Sequence, residues 1–211
     1  MSSASEKEIE VFVFPLPQVS LFPQTTKPLN IFEPRYIEMI NDAMTLKKKI
    51  ALAYTDPASE SGKEQGLLSH VRAIAGFGDV RLFERRANET MVVLVDAVGK
   101  LQLESVIETK KPYITARGRE ITEKRDLDPA HIFLLNRLMK RFRAQLEVHI
   151  PETQEREKFW TKLTTPEEKL NAYCAMVVEN AEHRQRLLEC DGINDRLSLA
   201  TLLLESETTS H

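Results

Sequence analysis

The stretch Val11-Phe-Val-Phe-Pro-Leu-Pro-Gln-Val-Ser-Leu-Phe-Pro-Gln-Thr-Thr-Lys-Pro-Leu-Asn-Ile-Phe-Glu-Pro-Arg-Tyr36 decides the fold. Val11 to Phe14 is a short apolar run of β-favouring residues, and Pro15 closes it. Pro15, Pro17 and Pro23 cannot donate to a ladder, so they confine pairing to edges and turns. Leu29 to Phe32 reads as a second short strand. Glu33 then fits a helix N-cap or a residue beside it, and Pro34 fits the first helical position, where a missing N–H costs nothing. A helix from Pro34 to about Leu46 puts Ile37, Ile40 and Met44 on one stripe. Glu33 and Arg35 read as a cap and an ion pair pinning the helix start rather than as catalytic groups. Arg35 is expected to bond strand carbonyls or carboxylates. Loss of either residue is expected to cost ~1–3 kcal/mol.

Working outward, Ile50 to Tyr54 is a strand, and Asp56 to Gly66 has the Ser, Gly and Glu content of a solvated loop. Asp79 to Arg85 and Thr90 to Asp96, joined at Asn88-Glu89, form a β-hairpin signature. Gly76-Phe77-Gly78 fits a bulge better than a nucleotide loop. Val98 to Val106 alternates as a further strand, and Pro112 to Ile121 closes the β-rich part. The composition changes across Lys124 to Pro129, and helical spacing follows. Residues 131–149 carry Leu135, Leu138, Met139, Phe142 and Leu146 on one face. A shorter helix, 152–163, holds Phe159 and Trp160. Thr165, Pro166 and Glu168 make a capping box. The helix they open buries Leu170, Tyr173, Cys174 and Val177, and the chain continues helically through Glu189 to a break at Asp191-Gly192. A leucine-rich helix spans 195–205.

The opening motifs, Phe14-Pro15-Leu16, Leu21-Phe22-Pro23, Leu29-Asn30-Ile31-Phe32 and Glu33-Pro34-Arg35-Tyr36, resemble those of the amino-terminal, substrate-binding domain of Lon proteases. The likeness continues through Val93 to Gly99, Leu101 to Val106, Pro112-Tyr113-Ile114-Thr115-Ala116, Arg184 to Glu189, and Arg196-Leu197. It covers roughly residues 10–205. It implies an α+β fold: a PUA-like pseudo-barrel of short strands with one helix over residues 9–122, then an α-helical bundle over 127–206. The strand count is compatible with a small barrel.

The 211 residues, 42% hydrophobic and 29% charged, are those of an ordinary soluble chain. The net charge of -3 gives no mandate for nucleic acid. No apolar run approaches the ~20 residues of a spanning helix, and the polar amino terminus is unlike a signal peptide. Cys174 and Cys190 have no CxxC partner, which fits a reducing cytoplasm. His70, His131, His149, His183 and His211 show no ligand spacing. Cys174 with His183 could supply a nucleophile and a base, but a core thiol on an apolar helix face is the better reading. Gly62-Lys63 and Gly99-Lys100 lack the Ser or Thr that ends a phosphate-cradling loop. No residue matches the Ser–Lys dyad of the Lon peptidase, and the chain lacks Lon's ATPase and peptidase regions.

The expectations are therefore a non-catalytic polypeptide-binding module, an adaptor in protein quality control, with no catalytic residues, no cofactor and no metal. The peptide surface is expected to draw on Phe22, Leu29, Phe32, Phe159 and Trp160 and on proline-limited sheet edges, with Glu33, Pro34, Arg35 and Tyr36 as a structural motif. The alternative is an RNA-binding barrel using Lys110, Lys111, Arg117, Arg119, Lys124 and Arg125 with Arg137, Lys140, Arg141 and Arg143. A solvated helix face accounts for these cations better. A membrane partner is not expected, and the oligomeric state is open.

Overall fold

The computed structural model describes residues 7–55, 68–87 and 89–209. The chain divides into two compact units, with the boundary between Thr122 and Glu123. The solvated loop expected over 56–66 lies outside the described residues, as does Asn88 of the expected hairpin turn.

The first unit is a six-stranded sheet closed on itself. Its strands are β1 (Glu8–Pro17), β2 (Thr26–Ile31), β3 (Ile50–Thr55), β4 (Ile74–Arg85), β5 (Met91–Ile107) and β6 (Ile114–Ile121), and its helix is α1 (Pro34–Leu46). The strand order is β2-β5-β4-β3-β1-β6, and β6 also pairs with β5. Closure removes most of the free edge that an open sheet would leave. β1 is buried on both faces, which explains why its apolar run is continuous rather than alternating. Phe12 and Phe14 enter a core with Tyr36, Met39 and Ile40 of α1. Val11 and Val13 enter a second core with Ala51, Ala53, Phe77, Leu101 and Ala116.

Two sequence expectations are corrected here. The strand does not end at Pro15: β1 continues to Pro17, with Pro15 opposite Ala53 and Pro17 opposite Thr55 of β3. The Phe12 N–H donates to Lys49 O on the β3 side. Backbone groups alternate along a strand, so the missing N–H groups of Pro15 and Pro17 face away from β3. Among the described residues no strand pairs with that side, because the pairing of β1 with β6 stops at Val13 and Ile114. The second correction concerns β5, a single strand rather than two. Phe77 opposes Gly99 while Gly78 opposes Ala97, so Val98 is an extra residue. The bulge turns β5 over. Its odd residues before Val98 (Val93, Val95, Ala97) lie in the α1 core, and Leu101 and Leu103 after it lie in the other core. Glycine is required at Gly76, where a Cβ would meet Leu21 O at 1.8 Å, and at Gly78, where it would meet Asp96 O at 2.1 Å.

The second unit contains a 3-10 turn (Pro129–His131), α2 (Ile132–His149), α3 (Thr153–Lys162), α4 (Pro166–Met176), α5 (Ala181–Glu189) and α6 (Ile193–Thr209). The five α2 positions on the expected apolar stripe are those buried. The Thr165–Glu168 capping box is formed in both directions. The helical run expected from Leu170 to Glu189 is interrupted instead. α4 stops at Met176, Val177 is only half-buried, and Asn180 caps α5 by accepting from His183 N. Residues 123–128 are tied into this unit. Lys124 bridges to Gly192, and Asn194 both accepts from Asp128 N and donates to Asp126 O.

Candidate functional site

The Glu-Pro-Arg-Tyr motif sits beside a cleft in the first unit. Pro34 is at the first turn of α1, and Glu33 is its N-cap residue, but the Glu33 side chain makes no capping hydrogen bond. The expected cap is therefore corrected to an ion pair alone: Arg35 Nε donates to Glu33 Oε2 at 3.0 Å. Both side chains are about half exposed. The Arg35 guanidinium also lies 4.5 Å from the centroid of the Tyr36 ring. Tyr36 itself is 8% exposed, with its ring 4.2 Å from that of Phe14. Burial holds the Tyr36 phenol above its usual value, so it stays a neutral donor.

Across the cleft stands the start of β6. Tyr113 is buried, edge-on to Phe12 at 4.9 Å, and its hydroxyl donates to Asp42 Oδ2 at 2.5 Å. Lys111 reaches the same carboxylate at 2.6 Å and Glu38 at 3.0 Å. Hydrogen bonds from Lys111 and then Tyr113 hold the Asp42 carboxyl below the usual range. Lys111 is correspondingly raised, chiefly by Asp42 and then Glu38. The space between these elements is about 410 Å³, walled by Pro15, Tyr36, Pro112, Tyr113 and Ile114, with Arg35, His70 and Lys111 also lining it. This size lies at the lower end of ligand-sized clefts. The cleft opens where β6 leaves β1, on the side to which β1 turns its proline carbonyls.

The five side chains expected to form an apolar surface are divided between the two units. Phe22 is fully buried, which corrects its assignment as a surface residue. Leu29 is partly buried against the α1 core. Phe32 is 69% exposed. Phe159 and Trp160 belong to the second unit, half-buried, with ring centroids 6.2 and 5.8 Å from Phe142. Arg143 lies 4.2 Å over the Trp160 ring, and the two border a recess of about 100 Å³. Pro112 and Tyr113 were legible only as part of a motif, Lys111 only as a cation of the RNA alternative, and His70 carried no signal at all.

Among the described residues, five of the ten cations of the RNA alternative pair with carboxylates: Lys111 with Asp42 and Glu38, Arg117 with Glu8, Arg119 with Glu104, Arg125 with Glu167 and Arg137 with Glu205. Cys174 is buried, with its thiol pushed up to about 12 by that burial. Among the described residues no group of three or more His, Cys, Asp or Glu could hold a metal ion, and no helix is long and apolar enough to cross a membrane.

The chain belongs to the ATP-dependent protease La (LON) substrate-binding domain family, whose model matches residues 10–206. It is 26% identical over 204 residues to Lon protease 1 of Hydrogenovibrio crunogenus, covering 96% of this chain and 24% of that protein. It is 24% identical over 198 residues to the Lon protease of Syntrophomonas wolfei, covering 94% of this chain and 24% of that protein. The chain thus spans about a quarter of the length of these curated relatives. Among solved structures, the N-terminal domain of the Mycobacterium avium complex Lon protease superposes with a TM-score of 0.68 at 17% identity, over 90% of this chain and 95% of that one. A Lon N-terminal domain protein from Xanthomonas campestris gives 0.59 at 15% identity, over 93% and 97%. The fold is therefore the α+β fold of Lon amino-terminal domains.

Proposed function

We propose that this chain is a non-catalytic polypeptide-binding module of the cytoplasm, and that it acts as an adaptor in protein quality control. The observation that carries the reading is the cleft beside Tyr36 and Tyr113. Its walls are proline, isoleucine and aromatic rings, the surface that takes apolar side chains from water. The neighbouring edge of β1 supports insertion of side chains rather than addition of a strand. Past Val13 that edge offers carbonyls, but Pro15 and Pro17 give it no N–H donors. Family membership supports the class of ligand. The net charge of -3 gives no mandate for phosphate binding, which argues against the RNA alternative. The chemistry of the described side chains supports no turnover of ATP or of casein.

The test is a titration of fluorescent, reduced and carboxymethylated lactalbumin, a permanently unfolded chain, into the protein. Saturable binding is expected, competed by unlabelled unfolded chain and not by native lactalbumin. Absence of binding, or binding of a labelled RNA that falls steeply with salt, overturns the reading.

A further inference from the structure

The cleft carries more information than an apolar slot. Arg35, His70 and Lys111 line it, and none of its lining residues is acidic. The carboxylates that hold the first and last of these cations, Glu33, Glu38 and Asp42, come from the α1 side and are not part of its wall. Glu33 and Glu38 are exposed, and exposed pairs are weak enough for an incoming carboxylate to share or displace them. A second, independent feature lies in Tyr36. It is 92% buried, its relative exposure being 8%, and it lines the cleft. Its hydroxyl has no hydrogen-bond partner among the described residues. The ring is buried while the hydroxyl is reached by water in the cleft, where it can donate to a ligand. At about 410 Å³ the space exceeds a single side chain.

Resting on the polypeptide-binding reading above, we propose that the cleft recognises an acidic side chain neighbouring an apolar one within a continuing polypeptide segment. The apolar side chain packs on Pro15, Pro112 and Ile114. The carboxylate accepts from Arg35, Lys111 and the Tyr36 hydroxyl. Charge-assisted bonds at the rim of an apolar slot give selectivity that the slot alone cannot, since an apolar wall accepts any apolar group. The segment is internal to its chain, because two adjacent side chains fill the space and, among the described residues, no strand pairs with the Pro15 and Pro17 carbonyls, which can accept from N–H groups of a passing backbone.

The experiment uses fluorescein-labelled peptides carrying an adjacent Glu-Phe pair flanked by glycines, amidated at the carboxyl end, read by anisotropy against the full chain. A matched peptide with Gln in place of Glu and a version with a free carboxyl end complete the set. The amidated Glu peptide should bind, and the Gln peptide should bind about tenfold more weakly, as for loss of a charged hydrogen bond. Tyr36→Phe, which keeps the ring, and Arg35→Gln should each weaken the Glu peptide by about threefold or more, with unchanged melting. If Glu and Gln peptides bind equally, the acidic preference is wrong while polypeptide binding stands. If only the free-acid peptide binds, the site reads chain ends and the proposal falls. If no peptide binds and unfolded lactalbumin does not either, this proposal and the reading beneath it fall together.

Discussion

Arg196 and Glu123 form an ion pair inside the helical unit, with side chains 1% and 6% exposed. The guanidinium is fully used: it also donates to Leu187 O at 2.9 Å and to Asn171 Oδ1 at 2.7 Å. It thereby ties α6 to α4, to the end of α5 and to the segment that opens the unit. A buried charge stripped of its partner is costly. Arg196→Ala is expected to destabilise the helical unit by about 3–5 kcal/mol, and Glu123→Gln by less, because an amide oxygen can still accept. Trp160 is the single tryptophan and lies in this unit, so its fluorescence during urea unfolding reads the effect. Unchanged unfolding of Arg196→Ala would show that the pair contributes nothing.

The ion pair at the start of α1 behaves oppositely. Arg35 and Glu33 are 52% and 42% exposed, and exposed pairs contribute roughly 0–1 kcal/mol. Arg35→Ala is therefore expected to melt within a few degrees of the parent, rather than to lose the ~1–3 kcal/mol of a cap or buried charged bond. Thermal melting followed by circular dichroism checks this, and a large drop in Tm would restore a structural role.

Acid should loosen the barrel unit through Asp42. Its folded pKa lies below the usual 3.8, held there by Lys111 and Tyr113. A carboxylate depressed on folding contributes stability that is present above its ordinary pKa and is lost as pH falls through the folded value. Asp42→Asn removes that contribution. The Tm of the parent should fall below pH ~4 more steeply than that of the variant. Parallel curves would assign the acid sensitivity to other carboxylates.

The two thiols should separate cleanly. Cys174 is buried and its thiol is pushed up to about 12, which leaves almost no thiolate at pH 8. Cys190 is half-buried and is expected to react with Ellman's reagent in the native protein, whereas Cys174 should react only in denaturant. Equal rates for both would mean that the helical core opens readily.

Much of the fold was legible because local signals agree with the tertiary structure. The Glu33-Pro34 start and the Thr165–Glu168 box fixed helix positions through backbone chemistry that acts within one turn. What stayed hidden depends on partners distant in sequence. Pro15 reads as a strand terminator unless one knows that β6 has already left that side of β1. Val98 reads as a strand break, since a bulge interrupts alternation just as a turn does. Phe22 reads as a surface residue beside prolines, yet it is fully buried. The cleft follows the same logic: Tyr36 was visible as a motif residue, but its meeting with Lys111 and Tyr113, some seventy-five residues on, is a product of closure.

The most direct test of the central claim is a map of the bound surface. Backbone amide NMR spectra of the labelled protein, recorded with and without carboxymethylated lactalbumin, should show shifts concentrated at Arg35, Tyr36, Lys111, Tyr113 and Ile114. Arg143 and Trp160 should stay in place. Shifts gathered around Trp160 or Phe32 with none at Tyr36 and Tyr113 would contradict the account.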